Sequence, residues 1–244
     1  MNVEVNGPRI LFTIPVLGGI NVSETVVNAW ILMAVITLLC IFLTRNLSVK
    51  NPSKRQLAAE KLYLMLKGMV RDTMGEKNIK YVPYIGTLFT FSIIGSLSSL
   101  TGMRPITADL STTLGWSLVT FILVQFTNIK THGFFGWIKS FTEPVAVITP
   151  LNIISEVANP ISMAFRHFGN VASGVVITGL VYSALAALSN FILGFIPSEF
   201  ISSIPIFQVG LPAILSIYFD LFTSFLQAYI ITMLTMVFVS SAAE

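Results

Sequence analysis

A permanent positive charge lies in the middle of a long apolar segment of this sequence. Arg166 stands within residues 160–174 and has apolar residues on both sides. A guanidinium keeps its proton at any accessible pH, so placing it in hydrocarbon is expensive. An intramembrane charge of this kind indicates a function that involves ions or acidic groups. The structural alternative is an arginine at a helix end whose long side chain reaches the lipid headgroups.

Arg166 belongs to a stripe of polar residues, which we call the first stripe. Its members follow one another at steps of four, three, four, four and three residues, so they share one face of an α-helix. They are Ser155, Asn159, Ser162, Arg166, Asn170 and Ser173. Gly169 and Gly174 add small residues that would let another surface come close. We interpret this face as functional, and a polar seam that only joins helices is the alternative.

A second stripe lies in the last apolar segment, at Ser216, Asp220, Thr223 or Ser224, and Gln227. Asp220 is another charge at membrane depth, and a carboxylate there must pair with a cation, line water or exchange protons. We favour a proton or cation route, because Gln227 continues the polar face. A static ion pair between Asp220 and Arg166 is the alternative.

Three further ionisable residues lie close to these stripes or between the spans. Glu156 is near the cytoplasmic end of the first stripe, and it is either a solvated end residue or part of an aqueous inlet. His167 points about 100° away from Arg166 around the helix, and we favour a packed neutral histidine over a relay. Asp109 is predicted to cap a helix.

The composition places the chain among integral membrane proteins. Of its 244 residues, 54% are hydrophobic and 10% are charged, and its mean hydropathy is +0.82. Such a chain has too little polar surface to coat a soluble globule. Helices satisfy their own backbone in lipid, so we predict an all-α integral membrane protein. The single cysteine, Cys40, allows no internal disulfide.

The distribution of charge predicts the topology. Nine of the fourteen Lys and Arg residues fall within residues 45–80, and the positive-inside rule makes that segment cytoplasmic. Nucleic-acid binding is disfavoured, because this segment is flanked by membrane spans and interleaved with Glu60, Asp72 and Glu76. A first span over residues 25–45, with Ser23 as cap and Glu24 in its first turn, puts the N-terminus outside. The residues before it lack the cationic start of a cleaved signal, so we expect them in the mature protein.

We predict a single transmembrane domain over residues 1–244 with five membrane crossings. Within the cytoplasmic segment 46–80, residues 53–74 form an amphipathic surface helix. A helical hairpin occupies 83–130, with spans at 84–100 and 114–129, and a cytoplasmic loop follows at 130–143. A second hairpin covers 150–240, with the loop around Glu199 outside and the C-terminus in the cytoplasm. Its apolar runs exceed the hydrocarbon thickness, so its helices must break, with Pro160 a plausible bend, or tilt strongly.

Residues 165–170, Phe-Arg-His-Phe-Gly-Asn, resemble the Arg-Leu-Phe-Gly-Asn signature of subunit a of bacterial-type F-type ATP synthases. Three other segments are similar to the same family: Pro105 to Asp109 with an inserted Ile106, Pro150 to Glu156, and Gln227 to Thr235. The likeness covers nearly the whole chain.

The resemblance implies a stationary subunit with two offset half-channels beside a rotating ring of carboxylate-bearing c-subunits. Arg166 would take the essential arginine role, flanked by Asn170 and Gln227, to couple H⁺ or Na⁺ flow to rotation and ATP synthesis. Implied partners are the c-ring, the b-subunit peripheral stalk, other synthase subunits and the lipid of a bacterial plasma membrane. The chain has no Gly-rich phosphate loop, and we expect it to be non-catalytic by itself, with no cofactor or bound metal.

The chain departs from the family pattern at two positions. Many members carry a glutamate where this sequence has Val175, and often a histidine where it has Asp220. Two other functions stay open. A self-contained secondary transporter would use Arg166 to hold an anion, although the inverted repeats expected of it are not found. A structural membrane scaffold would not need Asp220 or Gln227 for ion flow.

Overall fold

The computed structural model describes residues 8–15, 19–143, 145–193 and 217–243. Within these residues, five helical segments are long and apolar enough to cross a membrane. They are Glu24–Thr44, Glu76–Thr101, Leu110–Ser140, Ala146–Ile192 and Ile217–Ser241. The predicted all-α membrane fold is therefore confirmed.

Among the described residues, the elements follow one another as a short β-hairpin and then six α-helices, several of them joined by short helical turns. The strands are β1 (Ile10–Ile14) and β2 (Ile20–Ser23). The helices are α1 (Glu24–Thr44), α2 (Lys54–Met74), α3 (Val82–Leu97), α4 (Leu110–Ser140), α5 (Thr149–Leu193) and α6 (Thr223–Ser241). The 3₁₀ turns are Glu76–Tyr81, Ser98–Thr101, Ile106–Ala108 and Ala146–Ile148, and a π-helical turn, Ile217–Phe222, precedes α6.

The antiparallel hairpin of β1 and β2 was not predicted from the sequence. It is tied to the start of α1 by a hydrogen bond from the Glu24 amide to the Arg9 carbonyl, at 2.8 Å. Ser23 occupies the predicted cap position, but its hydroxyl makes no capping bond to the backbone. It lies 2.7 Å from the Thr25 hydroxyl instead, so Ser23 stands at the predicted cap position but does not cap the helix through its side chain.

The amphipathic helix is confirmed as α2. Ser53 caps it by accepting a hydrogen bond from the Gln56 amide at 3.3 Å, and Gly75, with φ of 78°, ends it. The helix packs against α1, α3 and α6. Its inner face joins the main hydrophobic core, whose buried members are Val70, Met74, Val82, Ile85, Met236 and Val239.

Part of the predicted loop 130–143 is helical, which corrects that prediction. The helical hydrogen-bond pattern of α4 continues to Ser140 across Gly133, whose φ of 74° and ψ of 167° change the direction of the chain. Glycine tolerates this backbone conformation because it has no Cβ. The segment after Gly133 therefore forms a further helical turn. At the other end of α4, Asp109 is the N-cap, and its carboxylate accepts from the Ser111 amide at 3.0 Å.

The fifth helix is continuous over 45 residues and passes through Pro160 without ending. At a rise of about 1.5 Å per residue it extends about 68 Å, more than twice the thickness of the hydrocarbon. Of the two predicted solutions, breaking or tilting, this continuity favours a tilted helix. The loop around Glu199, together with Pro205, Pro212 and Ser216, lies outside the described residues.

Hydroxyl groups connect the helices inside the bundle. The Tyr84 hydroxyl of α3 lies 3.1 Å from the Thr120 hydroxyl of α4, which lies 3.4 Å from the Thr235 hydroxyl of α6. Such contacts between helices are typical of membrane proteins, where lipid offers polar groups no partner. They hold α4, which packs against α5, in register with α3 and α6.

We predict that Gly95→Ala destabilises the bundle. A Cβ added at Gly95 would lie 2.6 Å from Cδ1 and 2.7 Å from Cγ1 of Ile106, whose side chain is fully buried. Overpacking of this kind costs about 1–3 kcal/mol, so the thermal unfolding midpoint of the purified protein should fall. Adding Ile106→Val, which removes Cδ1, should recover part of the loss.

Gly115→Ala in α4 is the matched control, because nothing lies within 4 Å of the added Cβ. Both substitutions gain the same helix propensity, so the difference between their unfolding midpoints isolates the clash. Equal midpoints would contradict the close approach of Ile106 to α3.

Candidate functional site

Arg166 lies on an open face of α5. Its side chain is exposed, and it forms no ion pair with any residue that the structure describes. It is 17 residues from Thr149 and 27 from Leu193, or about 26 Å and 41 Å along the axis. This position, far from both helix ends, argues against the interpretation of Arg166 as a helix-end arginine.

The rest of the first stripe shares this open face. Ser155, Asn159, Ser162 and Ser173 are exposed, and Asn170 is half-buried. The Ser173 hydroxyl donates to the Gly169 carbonyl of its own helix at 2.6 Å. The stripe is thus a continuous polar face that the described part of the chain leaves largely uncovered.

The opposite face of α5 packs into the protein. Met163, Ala164 and His167 are buried there. The His167 ring meets Trp116 of α4 edge-on, with centroids 5.7 Å apart and planes at 74°. Trp116 in turn meets Phe91 of α3 at 5.5 Å. His167 is therefore a packed residue, as its position around the helix predicts, whereas Arg166 beside it faces outward.

Glu156 takes part in a hydrogen-bond chain that the sequence did not reveal. Its carboxylate accepts from the Gln125 side-chain amide, and the Gln125 carbonyl oxygen accepts from the Trp137 indole N–H at 2.7 Å. The only feature of the sequence that could have indicated this chain is the polar side chain of Gln125 inside the predicted span 114–129. Its partners lie 31 and 12 residues away along the chain, so only the fold could identify them.

A cavity of about 200 Å³ lies between α4, α5 and the end of α6. Its polar lining residues are Ser117, Thr120, Asn128, Glu156, Asn159 and Ser241. Glu156 also lines two neighbouring cavities of about 470 Å³ and about 280 Å³. This carboxylate therefore stands where three cavities adjoin, at the end of the bundle where α6 ends and α5 begins.

Asp220 lies toward the other end of the bundle. It is half-buried in the π-helical turn before α6, and its carboxylate accepts from the Ser99 hydroxyl, just beyond α3, at 3.3 Å. No ion pair joins it to Arg166 among the described residues. The static ion pair between them is therefore absent from this part of the chain.

Gln227 faces inward, in contrast to Arg166. It is 4% exposed, and Thr223 and Ser224 beside it are also buried. The described members of the second stripe in α6 therefore face the interior of the helix bundle. Helix α5 comes close to the π-helical turn before α6 near Gly174, where an added Cβ would lie 3.4 Å from the Phe219 ring.

The ionisable residues are spread along α5 and α6 and do not form a single cluster. Glu156 precedes Arg166 by ten residues, an axial separation of about 15 Å, and Asp220 lies toward the opposite end. Val175, where the resemblance leads one to expect an acid, is half exposed and apolar. The arrangement therefore has a central cation with one acidic residue toward each end.

Comparisons with known proteins agree on one family. The profile of the ATP synthase A chain matches residues 26–240. The sodium ion specific ATP synthase subunit a of Propionigenium modestum is 30% identical, over 98% of this chain and 86% of that protein. ATP synthase subunit a 2 of a Bradyrhizobium species is 32% identical over 93% and 91%. Subunit a of Moorella thermoacetica is 37% identical over 68% and 76%.

The family profile covers most of the chain, and the five apolar helices of the described residues give it a multi-pass membrane architecture. Membership of this family implies that the chain works with the other subunits of an ATP synthase. Relatives from several bacteria match it over most of their length. The chain therefore belongs to the ATP synthase A chain family, the ion-translocating membrane subunit of F-type ATP synthases.

Proposed function

We propose that Arg166 is the fixed cation past which the carboxylates of a rotating c-ring move, so that ions cross only when the ring turns. The observation that supports this most strongly is an exposed arginine, without an ion-pair partner in the described chain, at the middle of a long apolar helix. Such a charge needs an acidic partner from elsewhere. The exposed first stripe offers that partner a polar track.

The chemistry of arginine suits this role. A ring carboxylate facing lipid must be neutral, because an isolated charge there is expensive. An opposite charge within a few Å favours its ionised form, so the carboxylate releases its ion as it reaches Arg166. The cation also repels a proton or metal ion that would cross without rotation. Lysine could lose its proton in this setting, but arginine keeps it.

The two ends of the bundle supply two offset paths. We assign the path on the cytoplasmic side to the cavity that Glu156 lines with Gln125 beside it, and thus favour an aqueous inlet over a solvated helix end. On the outer side, Asp220, together with Ser99, takes the place of the glutamate that many family members carry at the position of Val175. Asn170, Ser173 and Gln227 flank Arg166 between these ends. Each ion that crosses contributes about 2.3 kcal/mol per 100 mV of membrane potential.

The proposed role also implies an orientation of the chain in the membrane and further partners. The basic residues around α2 place that helix on the cytoplasmic side of a bacterial plasma membrane, with the N-terminus outside and the C-terminus inside. A b-subunit would connect this chain to the catalytic part of the synthase. The chain itself is non-catalytic, and the transported ion is H⁺ or Na⁺.

We predict that Arg166→Ala abolishes coupled ATP synthesis while the complex still assembles. The side chain is exposed in the isolated chain, so its removal costs little folding energy. Co-purification of the ring checks assembly, and ATP-driven ion pumping in membrane vesicles checks coupling. The Arg166→Lys variant should pump faster than Arg166→Ala but more slowly than the wild type.

Lys139→Ala is the matched control, because Lys139 is an exposed cation whose ion pair with Glu143, at 3.5 Å, lies on the surface. It should pump like the wild type. Normal pumping by Arg166→Ala would reject the proposed role of the arginine.

We predict that Glu156→Gln slows ion flow about a hundredfold, the lower end of the range for loss of a proton-transferring group. Glutamine can still accept the hydrogen bond from Gln125, so the fold should survive. The rate of ATP-driven pumping reports the effect. Asp72→Asn, at an exposed carboxylate outside the three cavities, serves as control, and equal rates for the two variants would remove Glu156 from the path.

We predict a similar loss, about a hundredfold, for Asp220→Asn, because the amide cannot exchange ions. The amide oxygen can still accept from the Ser99 hydroxyl, so packing near the π-helical turn should persist. Unchanged ion flux in this variant would instead support a purely structural role for the second stripe.

A further inference from the structure

Trp137 is a half-buried hydrogen-bond donor that the proposed path does not use. It lies in the part of α4 that follows Gly133, residues 134–140, which we call the arm. A straight helix would place it about 18 Å along the axis from Gln125, which precedes it by 12 residues. The turn at Gly133 changes the direction of the chain and folds the arm back. The indole nitrogen therefore donates to the Gln125 carbonyl oxygen at 2.7 Å.

The end of the arm is tied to the start of α5. The side-chain amide of Asn152 donates to the Phe141 carbonyl at 2.9 Å and to the Glu143 carbonyl at 3.0 Å. Within the arm and at its end, the Trp137 ring contacts the rings of Phe134 and Phe141, with centroids 5.8 Å and 5.3 Å apart. These contacts limit the movement of the indole, so the fold sets the direction of its N–H.

The indole decides which way the Gln125 amide points. An indole N–H can only donate, so the atom of the amide that faces it must be the oxygen. The NH₂ group then lies on the other branch and donates to the Glu156 carboxylate. With the amide reversed, its oxygen would face the carboxylate, and two acceptors would meet without a hydrogen atom between them. Trp137 therefore selects the orientation in which Gln125 can hold an ionised Glu156.

Apolar side chains shield this hydrogen-bond chain on one side. The cavity of about 470 Å³ beside it has an apolar lining formed mainly by Phe121, Ile138, Phe141, Ile153 and Val157. Hydrogen bonds are stronger where polar solvent is scarce, and a missing partner costs more there. Loss of the indole N–H would therefore release the Gln125 amide and, through it, the carboxylate of Glu156.

We propose that Trp137 is a positioning residue for Glu156: its N–H orients the Gln125 amide, which holds the carboxylate where the three cavities adjoin. Trp137 acts through Gln125 and exchanges no ion itself. The effect of Trp137 on ion flow rests on the proposed function of Glu156. The orientation of the Gln125 amide does not.

The test uses the complete, purified ATP synthase complex in vesicles, with Trp137→Phe and Trp137→His. Phenylalanine keeps an aromatic ring without the N–H, whereas Nε2 of histidine takes the ring position of the indole nitrogen and can donate there. Trp137→Phe should slow ATP-driven pumping about fivefold, the rate equivalent of one hydrogen bond, and Trp137→His should keep most of the rate. Phe134→Leu is the matched control and should pump like the wild type, because it removes a ring contact of Trp137 and leaves the N–H in place.

A second background separates positioning from packing. Gln125→Met keeps the length of the side chain and removes the amide, so adding Trp137→Phe to it should slow pumping no further. In a high-resolution density map of the wild-type complex, we expect the Gln125 side chain about 2.7–3.2 Å from both the indole nitrogen and the Glu156 carboxylate.

Wild-type pumping by Trp137→Phe, together with slowed pumping by Glu156→Gln, would overturn the positioning role and leave the proposed function intact. An equal loss in Trp137→His, or a further loss when Trp137→Phe is added to Gln125→Met, would overturn it too, because the ring would then act by packing alone. If Trp137→Phe fails to assemble, Gln125→Met decides, and wild-type pumping by that variant would reject the proposal. If Glu156→Gln pumped normally, the proposed function of Glu156 would fall, while the map would still decide the orientation of Gln125.

Discussion

The need to place one unneutralisable cation in an apolar helix governs the rest of this structure. Arg166 cannot shed its proton, and the described chain supplies it with no carboxylate. The surface of α5 is divided accordingly: the face with Arg166 is exposed, and the face with Met163, Ala164 and His167 packs inward. The proposed function needs this division, because a stator must be held firmly on one side and exposed to its rotor on the other.

The packed side depends on polar contacts between helices. Hydroxyls of Tyr84, Thr120 and Thr235 connect α3, α4 and α6, and α5 rests against α4 through the contact of His167 with Trp116. These contacts fix the angle at which α5 presents its open face. They also leave the polar cavity that Glu156 lines, which the proposed function uses as its cytoplasmic path.

Much of this could be predicted because helical spacing is local information. The steps of the first stripe define one face, and the Ser53 and Asp109 caps define helix starts. Helical spacing does not say what covers a face. The two stripes therefore have the same pattern in the sequence, although Arg166 is exposed and Gln227 is buried in the structure. The partnership of Gln125 with Glu156 joins distant positions, and the extension of α4 depends on Gly133 turning the chain within a helical run. Neither has a local signal.

The most direct test of the central claim is a density map of this chain in its complete complex. We expect the first stripe to face the ring, with the Arg166 guanidinium about 4–6 Å from the carboxylate of a passing c-subunit. A map that shows this guanidinium in contact with lipid phosphates, or covered by another part of its own chain, would contradict the proposed mechanism.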